Sequence, residues 1–241
     1  MAKGLAIIES FGRTHEYLTV SDAAQYADIS RASARRCLLT LADLGYLTKS
    51  GSQFRPTPRM LRLGAAYYEA SSLPQLAQTH LDNARDELRE SIALAVFEDG
   101  YSVFIARSET ERIVTSIAKI GQRLPAFASA TGRVLLADYS DDDLKVYLEK
   151  ADLVPFTKST ITDKKKLFTR IGKARTQQLE ISAEELEEGL ISMAVPVRNP
   201  NGETVAAMSM SASSVRISIA QMKRDYAPII KKHADALSRT L

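Results

Sequence analysis

Four polar side chains crowd one short stretch of this chain: Arg31, Ser33, Arg35 and Arg36, within ISRASARRCLLTLADLGYL (29–47). Three guanidiniums and a hydroxyl at this spacing suit recognition of a polyanion, because arginine forks match phosphate oxygens and base edges. Behind them Ala34, Cys37, Leu38, Leu41 and Leu44 recur at three- and four-residue steps. That period predicts a helix over about 31–44, capped by Ser30, with the apolar stripe turned inward. A shorter helix from Ser21 to about Ala27, with Ser21 as its capping hydroxyl, is expected before it. Two short helices about a tight turn, the second basic and small at its start, fit the major groove of double-stranded DNA. Arginines alone equally describe a solvated helix face, so the flanks decide.

The flanks favour the groove. GLAIIESFG (4–12) predicts a first helix with Leu5, Ile8 and Phe11 on one side, and Tyr17 to Thr19 an extended lead. After the basic helix, Gly45-Tyr46-Leu47, the polar turn KSGSQ and Phe54-Arg55-Pro56 predict a β-hairpin, the wing of a winged helix-turn-helix. Lys49 and Arg55 on it are placed to reach backbone phosphates. Residues 1–65 hold nine Lys/Arg against five Asp/Glu, whereas residues 66–241 hold 23 against 24. A basic front and a near-neutral back suit a DNA-contacting module joined to something else.

A second constellation lies at 121–137, GQRLPAFASATGRVLLA. Ala130, Thr131 and Gly132 are expected at the start of a helix, where free N–H groups and the helix dipole attract carboxylates or phosphates. Thr131 adds a hydroxyl, and Gly132 would let a ligand approach the backbone. Ser129 equally makes this an ordinary capped helix. In MSMSAS (208–213), alternation sets Ser209 and Ser211 on one strand face and Met208, Met210 and Ala212 on the other. In LISMA (190–194), Leu190, Ser192 and Ala194 share a face. Hydroxyls on such faces need partners, either a bound polar acid or neighbouring backbone.

Catalytic chemistry finds little support. His15, His80 and His233 are scattered, and each reads as satisfied or solvated. No HExxH, GxSxG, Walker or GxGxxG spacing is present. Glu184, Glu185, Glu187 and Glu188 in ISAEELEEGL read as a solvated, charge-rich turn rather than a metal or acid–base pair. Cys37 reads as packing. One cysteine permits no internal disulfide and no cysteine-based zinc cluster. No apolar run reaches the roughly 18 residues a bilayer crossing needs, and the N-terminus lacks a secretion pattern. The expected compartment is the cytoplasm, with no membrane, metal or cofactor.

The elements that must position these residues follow. PRMLRLGAAYYEASS (58–72) predicts a helix whose apolar surface either packs back on its own domain or joins a second subunit. A break at Leu73-Pro74 leads to a helix over 74–90, then β-runs at 92–99, 102–109 and 112–119 in a meander. Further helices are expected at 140–150 and 163–178, two strands joined by Asn199-Pro-Asn-Gly202, and a closing helix from Ser218 to Arg239. The fold class is α+β with an antiparallel sheet.

GLAIIESF, ISRASARRCLLTLADLGYL, RPTPRMLRLG, GQRLPAFASATGRVLLA and EEGLISMAVPVRNPNGETVAAMSMS together resemble the IclR family of bacterial transcriptional regulators. IGQRLPAFASATGRVLLA is similar, more narrowly, to the branch that regulates aromatic-acid breakdown through the β-ketoadipate pathway. The resemblance implies an N-terminal winged helix-turn-helix domain (1–57), a linker helix for dimerisation (58–73) and a C-terminal GAF-like effector domain (74–241). It implies operator DNA, a small aromatic or dicarboxylic acid effector, and a homodimer or dimer of dimers as partners. Carried across, the pocket positions are Ile113, Ser116, Ala130, Thr131, Ser182, Leu190, Ser192, Ser209 and Ser211. Members that bind small keto acids can carry an acid where Ser182 stands and a cysteine at Ser192. Serines there imply a different or larger effector. The competing function is a small-molecule enzyme or sensor that uses its helix-turn-helix for protein docking.

Overall fold

In the computed structural model, which describes residues 1–12, 14–110 and 119–241, the chain divides after Ser71 into two units. The first contains helices α1 (Ala2–Glu9), α2 (Val20–Tyr26) and α3 (Arg31–Asp43), followed by strands β1 (Leu47–Ser50) and β2 (Gln53–Pro56). Thr19, not Ser21, opens α2. Its hydroxyl accepts from the Asp22 N–H while the Asp22 carboxylate accepts from the Thr19 N–H, a reciprocal capping box. Ser21 therefore lies inside the helix. Ser30 caps α3 as expected, accepting from the Ser33 N–H, and Gly45 ends it with φ +77°.

The core of this unit is Ile7, Leu18, Ala23, Ala34, Leu38, Leu47 and Phe54. In α1 it is Ile7 that is buried, while Leu5 is 47% exposed, because α1 meets α3 along the side that carries Ile7. Leu44, expected at the end of the buried stripe of α3, is also exposed, since the chain has already turned off the core at Gly45. Leu18 exchanges backbone hydrogen bonds with Phe54 (3.0 and 2.9 Å), which stitches the lead-in to α2 onto the wing. A turn of 3-10 helix (Pro58–Met60) then runs into α4 (Leu61–Ala70), in which no residue is buried.

Among the described residues, the second unit is a six-stranded antiparallel sheet with helices on both faces. It comprises α5 (Ser72–Leu88), β3 (Ile92–Glu98), β4 (Tyr101–Ser108), β5 (Arg123–Pro125), α6 (Ala130–Leu136), α7 (Asp141–Lys150), α8 (Lys164–Gln177), β6 (Glu180–Ala183), β7 (Leu190–Arg198) and β8 (Thr204–Ser213). It closes with α9 (Ile219–Gln221), a π-helical turn (Met222–Tyr226) and α10 (Ala227–Ser238). The strand order is β5-β4-β3-β8-β7-β6. The helix expected from 74 begins at Ser72, because Ser71 is extended and Pro74 is tolerated in a first turn. β5 and β6 lie where a loop and a charged turn were expected; both are short edge strands, held by pairing with β4 and β7. The strand expected at 112–119 falls on 111–118 and so lies, but for Lys119, outside the described residues.

One sheet face carries Ile92, Leu94, Ile191, Met193, Val195, Met208 and Met210, packed with Ala77, Leu81 and Leu88 of α5 and Ile230, Ala234 and Leu237 of α10. Each of the Val, Leu, Ile and Met side chains contributes roughly 1.5–3 kcal/mol by leaving water, so this layer is the stable base. The other face carries Ala93, Ala95, Ala194 and Ala207, with α6 laid against it. A bulge at Ile105 puts Phe104 opposite Ala95 on this second face and Ala106 opposite Leu94 on the first.

Candidate functional site

Small residues leave space. Between α6, the second sheet face and the chain around 186–190 lies a cavity of about 770 Å³. Alternation places Ser209 and Ser211 of β8 and Leu190 and Ser192 of β7 in its wall, as expected, and Ala130 and Thr131 of α6 line it as well. Ser192 and Ser211 are register partners, and neither hydroxyl has a hydrogen-bond partner among the described residues. Ser209 lies nearer the helix and makes a long hydrogen bond, 3.4 Å, to the Ala93 carbonyl. Ser129 caps α6 through the Gly132 N–H at 3.0 Å. The N–H groups of Ala130 and Thr131 are left without an acceptor among the described residues.

Three expectations change. The Thr131 hydroxyl is already engaged, 2.8 Å from Ser102 Oγ and buried, so Thr131 faces the cavity with its backbone more than its oxygen. Gly132 serves packing rather than ligand approach: a Cβ there would stand 2.2 Å from the Ala126 Cα. Ser182 is not among the cavity-lining residues. It is buried on β6 and donates to the Ala128 carbonyl at 3.2 Å, so main chain satisfies it. Ile113 and Ser116 lie outside the described residues.

Sequence reasoning missed the cationic part of the wall. Arg107, Arg123 and Arg216 line the cavity. The Arg123 guanidinium lies 4.4 Å from the Tyr101 ring centroid, and Arg216 grips Glu90 with both terminal nitrogens. A composition count could not find them, because Glu90, Glu187 and Glu188 line the same space.

The glutamate run is not simply a solvated turn. Glu185 is 5% exposed and pairs through both oxygens with Arg133 of α6, which is completely buried. Arg133 also reaches Glu180 (3.2 Å) and donates its Nε–H to the Phe127 carbonyl (2.7 Å). Arg170 closes the group on Glu180 at 2.8 Å. Burial opposes the Arg133 charge, but Glu185 and Glu180 outweigh it and hold its pKa above the ordinary value. Burial raises the Glu180 pKa despite Arg170 and Arg133. Among the described residues no group of three or more His, Cys, Asp or Glu is placed to hold a metal, and no helix is long and apolar enough to cross a membrane. His233 is buried and pairs with Glu87 at 2.9 Å.

In the first unit, Arg35 and Arg36 are exposed on α3. Arg35 shares a shallow depression of about 250 Å³ with Lys49 of the wing, Ser21 and Ser52. Arg31 is turned back onto the Ser21 hydroxyl. Ser33 does not reach outward: it is 7% exposed and hydrogen-bonded to Ser30 and Lys3, because it lies on the inner side of the first turn. Lys49 and Arg55 leave opposite faces of the hairpin, as their register with Phe54 and Thr48 requires. Arg55 lies over the Tyr17 ring.

Comparison with known proteins bears on both units. Residues 1–51 match the IclR helix-turn-helix domain, and residues 65–239 the bacterial transcriptional regulator IclR C-terminal domain. The chain is 37% identical to the Pca regulon regulatory protein of Pseudomonas putida over 95% of its own length and 79% of that protein's. It is 40% identical to a transcriptional regulator of Rhodococcus sp. RHA1 of solved structure, with a TM-score of 0.87 over 100% of this chain and 96% of that one. It is 28% identical to the inducer-binding domain of the PobR transcription factor from Acinetobacter, solved as a double mutant with 3-hydroxybenzoic acid; the TM-score is 0.67, over 70% of this chain and 98% of that one. These relatives are regulators and not enzymes, which sets aside the reading of an enzyme with a docking helix-turn-helix. With a helix-turn-helix in front and an α+β domain behind, the chain belongs to the IclR family of bacterial transcriptional regulators.

Proposed function

We propose that this DNA-binding regulator takes a small aromatic carboxylic acid of the hydroxybenzoate class into the cavity of its second unit. The carrying observation is a cavity wall with two unpartnered serine hydroxyls and two free helix amides beside the apolar side chains of Phe104, Leu124, Phe156 and Leu190, with Arg107, Arg123 and Arg216 in the same lining. The amides of Ala130 and Thr131 suit a carboxylate, Phe104 and Leu190 an aromatic ring, and Ser192, Ser209 and Ser211 a ring hydroxyl. The 3-hydroxybenzoic acid in complex with the double mutant of the Acinetobacter PobR inducer-binding domain belongs to the same class. On the DNA side, Arg35, Arg36 and Lys49 are the groups that meet phosphates and base edges. Arg31 and Arg55 support them from the flanks, and Ser33 braces the helix.

Among the described residues none of helix α4 is fully buried, and the helix shows Leu61 (76% exposed), Leu63 and Tyr67. Joining a second α4 would cover them and give the two-fold arrangement that paired half-sites need. An effector then changes DNA affinity only by binding the DNA-competent and incompetent states unequally. The deciding experiment is thermal denaturation with 4-hydroxybenzoate, protocatechuate, β-ketoadipate and, as a control without a carboxylate, phenol. A native-state ligand raises the Tm, and no rise with either hydroxybenzoate overturns the effector reading. Ser211→Leu should abolish that rise while gel-shift affinity for promoter DNA stays unchanged. Arg36→Ala should weaken that affinity by about 1–3 kcal/mol with an unaltered Tm.

A further inference from the structure

The chain from Glu184 to Leu190 has little regular structure to hold it, with φ +57° at Glu184 and +80° at Gly189. Yet Leu186, Glu187, Glu188, Gly189 and Leu190 form one side of the cavity. The segment closes on itself through the Glu184 N–H on the Leu190 carbonyl (2.7 Å) and the Leu190 N–H on the Glu187 carbonyl (3.3 Å). Ser214 donates its N–H to the Gly189 carbonyl (2.8 Å), and a second set of partners holds the segment at Glu184 and Glu185. The Glu185 carboxylate takes both terminal nitrogens of Arg133, and its Oε2 also accepts the Ile161 N–H at 3.3 Å. Thr160 donates to the Glu185 carbonyl and Thr157 to the Glu184 carbonyl, each at 2.6 Å. Arg133 stands two residues after Thr131 on α6, so the helix whose first turn lines the cavity also holds the opposite wall. Its Nε–H on the Phe127 carbonyl extends this hold to Phe127, whose ring packs near Phe156, another lining residue. Arg133 itself does not line the cavity.

We infer that Arg133 is a positioning residue for the effector cavity: its fork on Glu185 sets the place of the 186–190 wall, and thereby effector affinity, without touching the effector. The inference rests on reading that cavity as the effector site. Bidentate arginine–carboxylate pairing fixes orientation as well as distance, which a packed apolar pair does not. Replacing a buried ion pair by apolar side chains often preserves stability, whereas removing one partner strands the other charge. This separates positioning from folding. Glu180 keeps Arg170 as its partner in such a variant.

The test uses the full chain carrying Arg133→Met with Glu185→Leu, beside Arg133→Lys and Thr160→Val, and the probe is 4-hydroxybenzoate. In the double variant we expect a Tm within a few degrees of the parent. Amide exchange over 186–190 should be about tenfold faster with α10 unchanged, and the Kd about tenfold higher. Arg133→Lys, which keeps the charge but not the fork, should fall between, and Thr160→Val should move both readouts less. A folded variant without the fork that has parental exchange or parental affinity overturns the inference. If the double variant does not fold, Arg133→Lys is judged by the same two readouts. If the parent does not bind the probe, the effector reading fails by itself, and exchange over 186–190 alone decides whether Arg133 positions that wall.

Discussion

The two faces of the six-stranded sheet are built from the same strands and differ only in which alternate residues they show. One presents Met193, Val195, Met208 and Met210 to α5 and α10 and is closed. The other presents Ala194, Ser192, Ser209 and Ser211 toward α6 and keeps a cavity of about 770 Å³. Large flexible side chains fill their layer; one- and two-atom side chains cannot fill theirs, and their hydroxyls keep the space polar. Stability and ligand capacity are thus written at odd and even positions of single strands, so substitutions one residue apart should have unlike consequences.

The largest effect belongs to the closed face. Met208→Ala should cost about 2–5 kcal/mol in chemical denaturation with little change in effector affinity for the protein that remains folded. A loss under about 1 kcal/mol would break the comparison. Next is Gly132→Ala, which forces a methyl onto the Ala126 backbone. Overpacking there should cost about 3 kcal/mol and lower the Tm, although glycine to alanine ordinarily favours a helix. On the open face, Ser211→Ala should change stability by no more than about 0.5 kcal/mol while weakening the effector-induced Tm rise. Equal stability losses at Met208 and Ser211 would show that the two faces are not distinct.

The smallest effect concerns what pins α6 to that face. Asp138, just past the helix, accepts from the Thr204 N–H (2.9 Å) and from Arg198 (3.0 Å). Burial is the largest single influence and raises the Asp138 pKa, but the Thr204 and Arg198 hydrogen bonds together prevail and hold it below the ordinary carboxylate value. Its stabilisation is therefore complete above an unfolded-state pKa near 3.8 and is lost as pH falls below it. Asp138→Asn should flatten the loss of stability as pH falls below about 3.8 relative to the parent. Urea midpoints across that range check it, and an unchanged slope removes Asp138 from the acid response.

What was legible in the sequence was local and periodic. The serine and methionine faces of β8 follow from a period of two, the Ser30 cap from one residue type at a helix start, and the 199–202 turn from Asn-Pro-Asn-Gly. The α2 cap was legible too, since Thr19 and Asp22 stand at capping-box spacing, but Ser21 is nearer the turn and drew the assignment. Arg133 and Glu185 were not legible: 52 residues separate them, arginine rarely lies fully buried, and nothing local marks one that does. β6 likewise exists through its pairing with β7. Ser33 was misplaced because residue type was read without helical phase; it stands one position before Ala34, on the inward arc. Ser182 stands outside the cavity lining for the opposite reason: its strand face was right for burial, and a carbonyl rather than open space met it.

The close approach at Gly132 has a consequence for how such a protein changes its preferences over generations. A side chain at Gly132 would strike the Ala126 backbone, so the first turn of the helix cannot shift against the segment that leads into it, and this corner acts as a fixed datum. With the inducer in this cavity, as proposed, adaptation to a new one would come by resculpting strand side chains such as those at 190, 192, 209 and 211. Each can be exchanged singly, leaving the scaffold that carries them intact.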